Sequence, residues 1–147
     1  KIGVYAMKIL IIDGQGGRLG RQLAEMITSE MPGAEVTAVG TNSTATASML
    51  KGGAMHAATG ENAVVVACRH ADVIIGPIGI VIADSLLGEV TEKMAAAVAR
   101  ADAVRILIPV DRCGTLVAGV SDASTTELLN DAILKLKRLA NDRNTVS

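Results

Sequence analysis

Residues 7–20, MKILIIDGQGGRLG, constrain this chain more than any other stretch. A run of aliphatic residues leads into a glycine cluster, and the cluster opens an amphipathic helical pattern with Leu19, Leu23, Met26 and Ile27 on one face. A strand that is apolar at nearly every position has to be covered on both sides, as happens in a parallel sheet between helices. The junction gathers unpaired backbone N–H groups at the positive end of a helix dipole, which suits phosphate-like anions. Gly14, Gly17 and Gly20 fit G-x-x-G-x-x-G. Strict G-x-G-x-x-G fails, because Leu19 stands where its last glycine belongs, and no Lys-Ser or Lys-Thr completes a P-loop. In this spacing Gly14 permits the tight turn, Gly17 lets the backbone approach a phosphate, and Gly20 lets the helix close on the sheet.

The rest of the chain repeats the strand-then-helix pattern. Strands are expected at residues 8–12, 35–39, 54–56, 73–75 and 105–110, and helices at 17–31, 43–51, 61–70, 80–87 and 92–100. Thr91 is the expected cap of the 92–100 helix. Ser124 and Glu127 form a capping box for a last helix whose stripe is Leu128, Leu129, Ala132, Ile133 and Leu136. Residues 116–120 are strand-like and follow the fifth strand too closely for a parallel crossover, so a hairpin onto an antiparallel edge strand is expected. The fold class is therefore α/β: a three-layer, Rossmann-like domain with about five mostly parallel strands plus that edge strand. Residues 1–6, KIGVYA, are expected to be an upstream extension or cloning remnant with Met7 as the natural start. Residues 7–141 form a single Rossmann-like nucleotide-binding domain, and 142–147 a flexible tail.

Ligands of such sheets bind beyond the carboxyl ends of the strands, where the strand order reverses. The binding residues expected there are Asp13, Gly14, Gln15, Gly16, Gly17 and Gly20, then Thr41, Asn42 and Ser43, then Thr59 and Gly60, and Gly76 after the fourth strand. His56, Glu61, Asn62, Asp111, Arg112 and Cys113 are expected on the same rim. A dinucleotide ribose usually meets an acidic residue about 20 residues past the glycines. Here no Asp or Glu lies between Val36 and Gly60. Thr41, Asn42 and Ser43 stand in that place and suit a 2′-phosphate, so NADP is easier to accept than NAD, although no Arg accompanies them. Asp13 would repel a phosphate unless it faces away, pairs with a cation or binds a ribose hydroxyl.

Composition narrows the class further. A net charge of −1, with no Phe or Trp, argues against a nucleic-acid binder, which needs a basic face and aromatic platforms. The longest apolar run, residues 78–83, is far short of the roughly 20 residues of a membrane helix. Two cysteines make no disulfide framework, and a reduced cytoplasmic setting is the simplest reading. Cys68 and His70 are two apart on a helix and cannot share an ion, so no metal site is expected. Cys113, beside Arg112 and Asp111, is either a reactive thiol or a small turn residue. His56 is either an acid–base group or a partly buried loop residue. The apolar segment 80–87, interrupted by Asp84 and Ser85, suggests a homodimer surface.

Taken together, IDGQGG, GTNSTATASMLKGGA, ATGENA, IIGPIGIVIADSLLGEVT and ILIPVDRCG resemble a family of short bacterial proteins catalogued only as a domain of unknown function. The resemblance runs from Met7 to about Leu136 and implies a compact bacterial α/β protein, with no activity or catalytic residue attached. The functional expectation thus rests on the rim residues: a protein that binds a phosphorylated ligand, a nucleotide or NADP-like dinucleotide, through the turn at 14–20. A non-catalytic small-metabolite sensor or oligomeric regulator is the alternative. No residue singles itself out as catalytic.

Overall fold

The structure, a computed structural model, describes residues 6–146. Except for Ala6, the expected upstream extension lies outside the described residues, as does Ser147. Among the described residues, five strands form one sheet: β1 (Lys8–Asp13), β2 (Glu35–Gly40), β3 (His56–Thr59), β4 (Val73–Pro77) and β5 (Val104–Ile108). Their order is β3-β2-β1-β4-β5, and every pairing is parallel. The direction of winding reverses between β1 and β4, at the centre of the sheet.

Alternation along β1 divides the core. Ile9 and Ile11 face one layer, where α1 (Arg18–Glu30), α2 (Ser43–Lys51) and α5 (Thr125–Val146) supply Leu23, Ile27, Met49, Leu129, Ile133 and Leu136. Leu10 and Ile12 face the other, where α3 (Glu61–Cys68) and α4 (Glu92–Arg100) supply Val64, Cys68, Met94 and Val98. Both faces of the strand are therefore dry, which is why it reads as continuously aliphatic. Thr91 caps α4 as expected, its Oγ1 accepting from the Met94 N–H at 3.1 Å. Ser124 Oγ accepts from the Glu127 N–H at the start of α5.

Three expectations need correction. No antiparallel edge strand forms among the described residues: 109–124 is irregular, with local turn bonds from Thr115 N–H to the Arg112 carbonyl and from Val120 N–H to the Val117 carbonyl. Asp111, Cys113, Gly114 and Gly119 all have positive φ there, which no extended ladder accommodates. Residues 80–87 are not a helix. A single 3₁₀ turn, Ile78–Val81, gives way to tight turns in which Asp84, Leu86, Leu87 and Gly88 are left-handed. Strand β3 begins at His56, two residues later than expected, because pairing of His56–Thr59 with β2 overrides the weak strand preference of Ala57 and Ala58. Helix α5 runs through Val146 and so takes in residues 142–146 of the expected tail.

Leu136 is fully buried between α5 and the sheet. Leu136→Ala should lower stability by about 2–5 kcal/mol in urea unfolding, whereas Leu87→Ser, at a side chain 96% exposed, should change it by less than about 0.5 kcal/mol.

Candidate ligand-binding site

The turn after β1 is held by the carboxylate that ends the strand. Asp13 is only 6% exposed, and its two oxygens accept from the N–H groups of Gly14 (2.8 Å) and Gly20 (2.7 Å). One side chain thus ties the last residue of β1 to both ends of the glycine turn. Burial pushes the Asp13 carboxyl above its ordinary pKa; the two N–H bonds oppose the shift, and repulsion from Glu89 and Asp111 adds to it. The Gly17 N–H closes the turn on the Gly14 carbonyl at 2.9 Å. Gly17 has φ +71°, and a Cβ there would lie 2.6 Å from the Ala45 backbone, so glycine is required by the close approach of α2. A Cβ on Gly20 would strike Met49 and the Cβ of Asp13, the tight helix–sheet contact expected of it.

A second carboxylate meets the same turn from the far side. Glu89, in the loop between β4 and α4, accepts three hydrogen bonds at Oε1: from the Gln15 N–H at 2.9 Å, Thr41 Oγ1 at 2.7 Å and Asn42 Nδ2 at 2.7 Å. Burial alone would raise its pKa, but these three donors together outweigh it and hold the carboxyl below the ordinary glutamate range. Asn42 joins three elements, since its Nδ2 also donates to the Gln15 carbonyl and its Oδ1 caps α2 at the Ala45 N–H. The loop that delivers Glu89 is strained, because Leu86 and Leu87 adopt left-handed φ values of 54° and 57°. Leu86 rests against Gly14, where a Cβ would lie 2.9 Å from its Cδ1. Ser85 Oγ donates to the Gly79 carbonyl and pins the loop's start.

The corner is thus partly filled by the protein itself. Asp13 takes the amides of Gly14 and Gly20, and Glu89 takes that of Gln15. Among the described residues, the N–H groups of Gly16, Arg18 and Leu19 donate to no protein acceptor, and α1 has no side-chain cap. Gly16 is exposed, with no heavy atom within 4 Å of where its Cβ would be.

The remaining expected residues separate. Ser43 opens α2 and is exposed. Thr59 ends β3, its hydroxyl 2.7 Å from that of Thr46, and Gly60 follows at the rim with φ +102°. Gly76 lies inside β4, where a side chain would collide with the Ile12 carbonyl, so it serves close strand packing. His56 is a correction: it opens β3 rather than ending it, at the edge opposite the rim, with Nε2 3.9 Å from Glu35 at the start of β2. Cys113 is exposed, its thiol donating to the Asp111 carbonyl at 3.1 Å. Cys68 is buried, which pushes its thiol up to about 11 and makes it inert at neutral pH. Glu61 accepts from Thr91 Oγ1 across the α3 and α4 N-termini. Ile80, Leu86 and Val90 belong to the inner core, so the 78–90 segment is used within the subunit and leaves Leu87 as its fully exposed large side chain. No group of three or more His, Cys, Asp or Glu among the described residues has metal-binding geometry, and no described helix is long and apolar enough to cross a membrane.

Glu89 was not legible as a site residue. Its only trace in the sequence is the lack of any acid after β2, which leaves Thr41 and Asn42 with nothing of their own to donate to.

The strand order, the glycine turn and the rim define a Rossmann-like three-layer α/β protein. The chain belongs to the family described as a domain of unknown function (DUF3842), whose model matches residues 8–141. No curated protein matches it. Among solved structures it is similar to a dodecameric FMN-dependent UbiX-like decarboxylase from Escherichia coli O157:H7, at 19% identity and TM-score 0.46, over 90% of this chain and 75% of that one. A nucleoside-diphosphate-sugar epimerase from Pseudomonas aeruginosa shares 17% identity at TM-score 0.48, over 95% of this chain and 49% of the epimerase. A universal stress protein from Archaeoglobus fulgidus shares 18% identity at TM-score 0.39, over 71% of this chain and 98% of that one.

Asp13→Ala would strand two buried donors, each costing about 1–3 kcal/mol, offset in part by relief of the buried charge. A net loss of about 2 kcal/mol in chemical denaturation is expected, and unchanged stability would remove the role given to Asp13. The two carboxyls should also titrate in opposite senses by carbon-detected NMR. Glu89, lowered, stabilises the fold fully above the ordinary glutamate pKa, and loses this contribution as pH falls through its folded value. Asp13, raised, costs stability above its folded value, and that cost vanishes below the ordinary aspartate pKa.

Proposed function

We propose that this protein binds a phosphorylated ligand, a nucleotide or dinucleotide, at the first turn of α1, where the glycine turn after β1 meets the rim of the sheet. The observation that carries the reading is the set of unpaired N–H groups of Gly16, Arg18 and Leu19 at the first turn of α1, beside a Gln15 amide that already holds a carboxylate oxygen. Phosphate oxygens are the natural acceptors for such a turn, since they add the attraction of the helix dipole to three hydrogen bonds. The position is also where the winding of the sheet reverses, which opens a crevice in folds of this kind. Thr41, Asn42, Thr59 and Gly60, at the ends of β2 and β3, lie on the side where the rest of a nucleotide would extend.

A second reading is a small-metabolite sensor that works as an oligomer without catalysis. Its support is the exposure of Leu87 (96%) and Leu116 (91%), in the loops that follow β4 and β5. A homodimer and a cytoplasmic setting are part of this proposal.

Calorimetric titration with ATP, ADP, NAD, NADP and FMN, with the solution mass followed in the same samples, tests both readings. Gly16→Asp places a negative charge at the free amides, at a site with space and no positive φ, so the fold is retained. It should weaken nucleotide binding by about tenfold or more, the scale of one charge repulsion in a partly shielded site. No binding by the native protein at millimolar concentration would overturn the nucleotide reading. A mass that changes on ligand release without turnover would favour the sensor.

A further inference from the structure

Dinucleotide-binding proteins with this strand order commonly hold the ribose through an acid at the end of the second strand, next to the pyrophosphate turn. This chain has Thr41 and Asn42 there and no acid from residue 36 to 60. A carboxylate nevertheless stands at that place, brought from elsewhere in the fold. Glu89 Oε1 lies 2.9 Å from the Gln15 N–H of the turn and 2.7 Å from both Thr41 Oγ1 and Asn42 Nδ2 at the end of β2.

The division of labour between its two oxygens is informative. A carboxylate has about four acceptor positions. Oε1 takes three donors, which fix the group, whereas Oε2 takes no hydrogen bond from the described residues. The carboxyl is half-buried and held below the ordinary glutamate range, so it is ionised at neutral pH. An anchored, ionised oxygen of this kind welcomes hydroxyl donors and repels a phosphate. It is joined through Gln15 to Gly16, the first of the free amides, so an oxygen that accepts from hydroxyls and N–H groups that donate to a phosphate sit side by side.

We infer that Glu89, delivered by the β4–α4 loop, takes the part of the missing β2 acid and selects a nucleotide whose ribose keeps its free 2′,3′-diol over one carrying a 2′-phosphate. This reverses the preference for NADP that Thr41, Asn42 and Ser43 suggest when read alone, because Thr41 and Asn42 are committed to Glu89. The inference rests on the nucleotide reading above and names the ligand class for the same site: a nucleoside diphosphate, free or as half of a dinucleotide, with an unsubstituted ribose.

The test compares NAD with NADP, and ADP with 2′-deoxy-ADP, by calorimetry on the native protein and on Glu89→Gln. Glutamine keeps an acceptor for Thr41 and Asn42 but carries no charge, and its melting curve reports whether the fold is intact. In the native protein NAD should bind about tenfold or more tightly than NADP, and ADP more tightly than its 2′-deoxy analogue. In Glu89→Gln the NAD-to-NADP ratio should shrink to within about threefold. A purely structural role for Glu89 would weaken both members of each pair alike and leave the ratio where it was. Equal or tighter binding of NADP by the native protein, or an unmoved ratio in the variant, overturns the inference and leaves the nucleotide reading standing. Failure of every nucleotide to bind either protein overturns both.

Discussion

The bond pattern of Asp13 governs how this molecule is put together. A buried carboxylate spanning Gly14 and Gly20 fixes the exit of β1, the path of the turn and the first residues of α1 in one step. Charge is costly to bury, and here two backbone donors compensate it rather than a cation. Such compensation works only if the turn keeps its shape, so the glycines and the aspartate depend on each other. Removing Cβ atoms at Gly17 and Gly20 lets α2 and Met49 close in, and their approach then leaves the turn no other path.

A second layer of order rests on that first one. Once Gln15 is held in its left-handed conformation (φ 50°), its N–H and carbonyl are turned toward Glu89 and Asn42. Three loops that are far apart in sequence thereby meet at the reversal of strand winding. The strain at Leu86 and Leu87 is local to the segment that brings Glu89 in, and the contact of Leu86 with the core helps to offset it.

Much of this was legible in the sequence, for physical reasons that can be named. The aliphatic β1, the glycines and the stripe of α1 report a buried strand and a close-packed helix, because burial and backbone clearance leave direct marks on composition. Caps such as Thr91 and Ser124 are equally plain, since a short-range hydrogen bond needs only a residue at a fixed offset. The segments 80–87 and 116–120 misled because their apolar residues match helix and strand patterns, while left-handed φ at Asp84, Leu86, Leu87, Asp111 and Cys113 leaves no compositional trace. His56 was misplaced by a shift in strand register, which turns on pairing with β2 rather than on its own neighbours. Glu89 was hidden for the deepest reason: its role is set by contacts 47, 48 and 74 residues away along the chain.

The margins of the sheet carry a consequence of their own. Among the described residues, each outer strand has one row of backbone groups with no partner strand, the feature through which proteins polymerise by recruiting one another's strands. On one margin β3 has only four residues, too few to template a long ladder. On the other, the Arg105 guanidinium of β5 folds back onto the carbonyls of Ala101 and Ala103, fixing a positive charge at the start of the strand. An incoming strand would have to displace or bury that charge. Both features disfavour such recruitment, which matters more in a chain whose interior is almost wholly aliphatic.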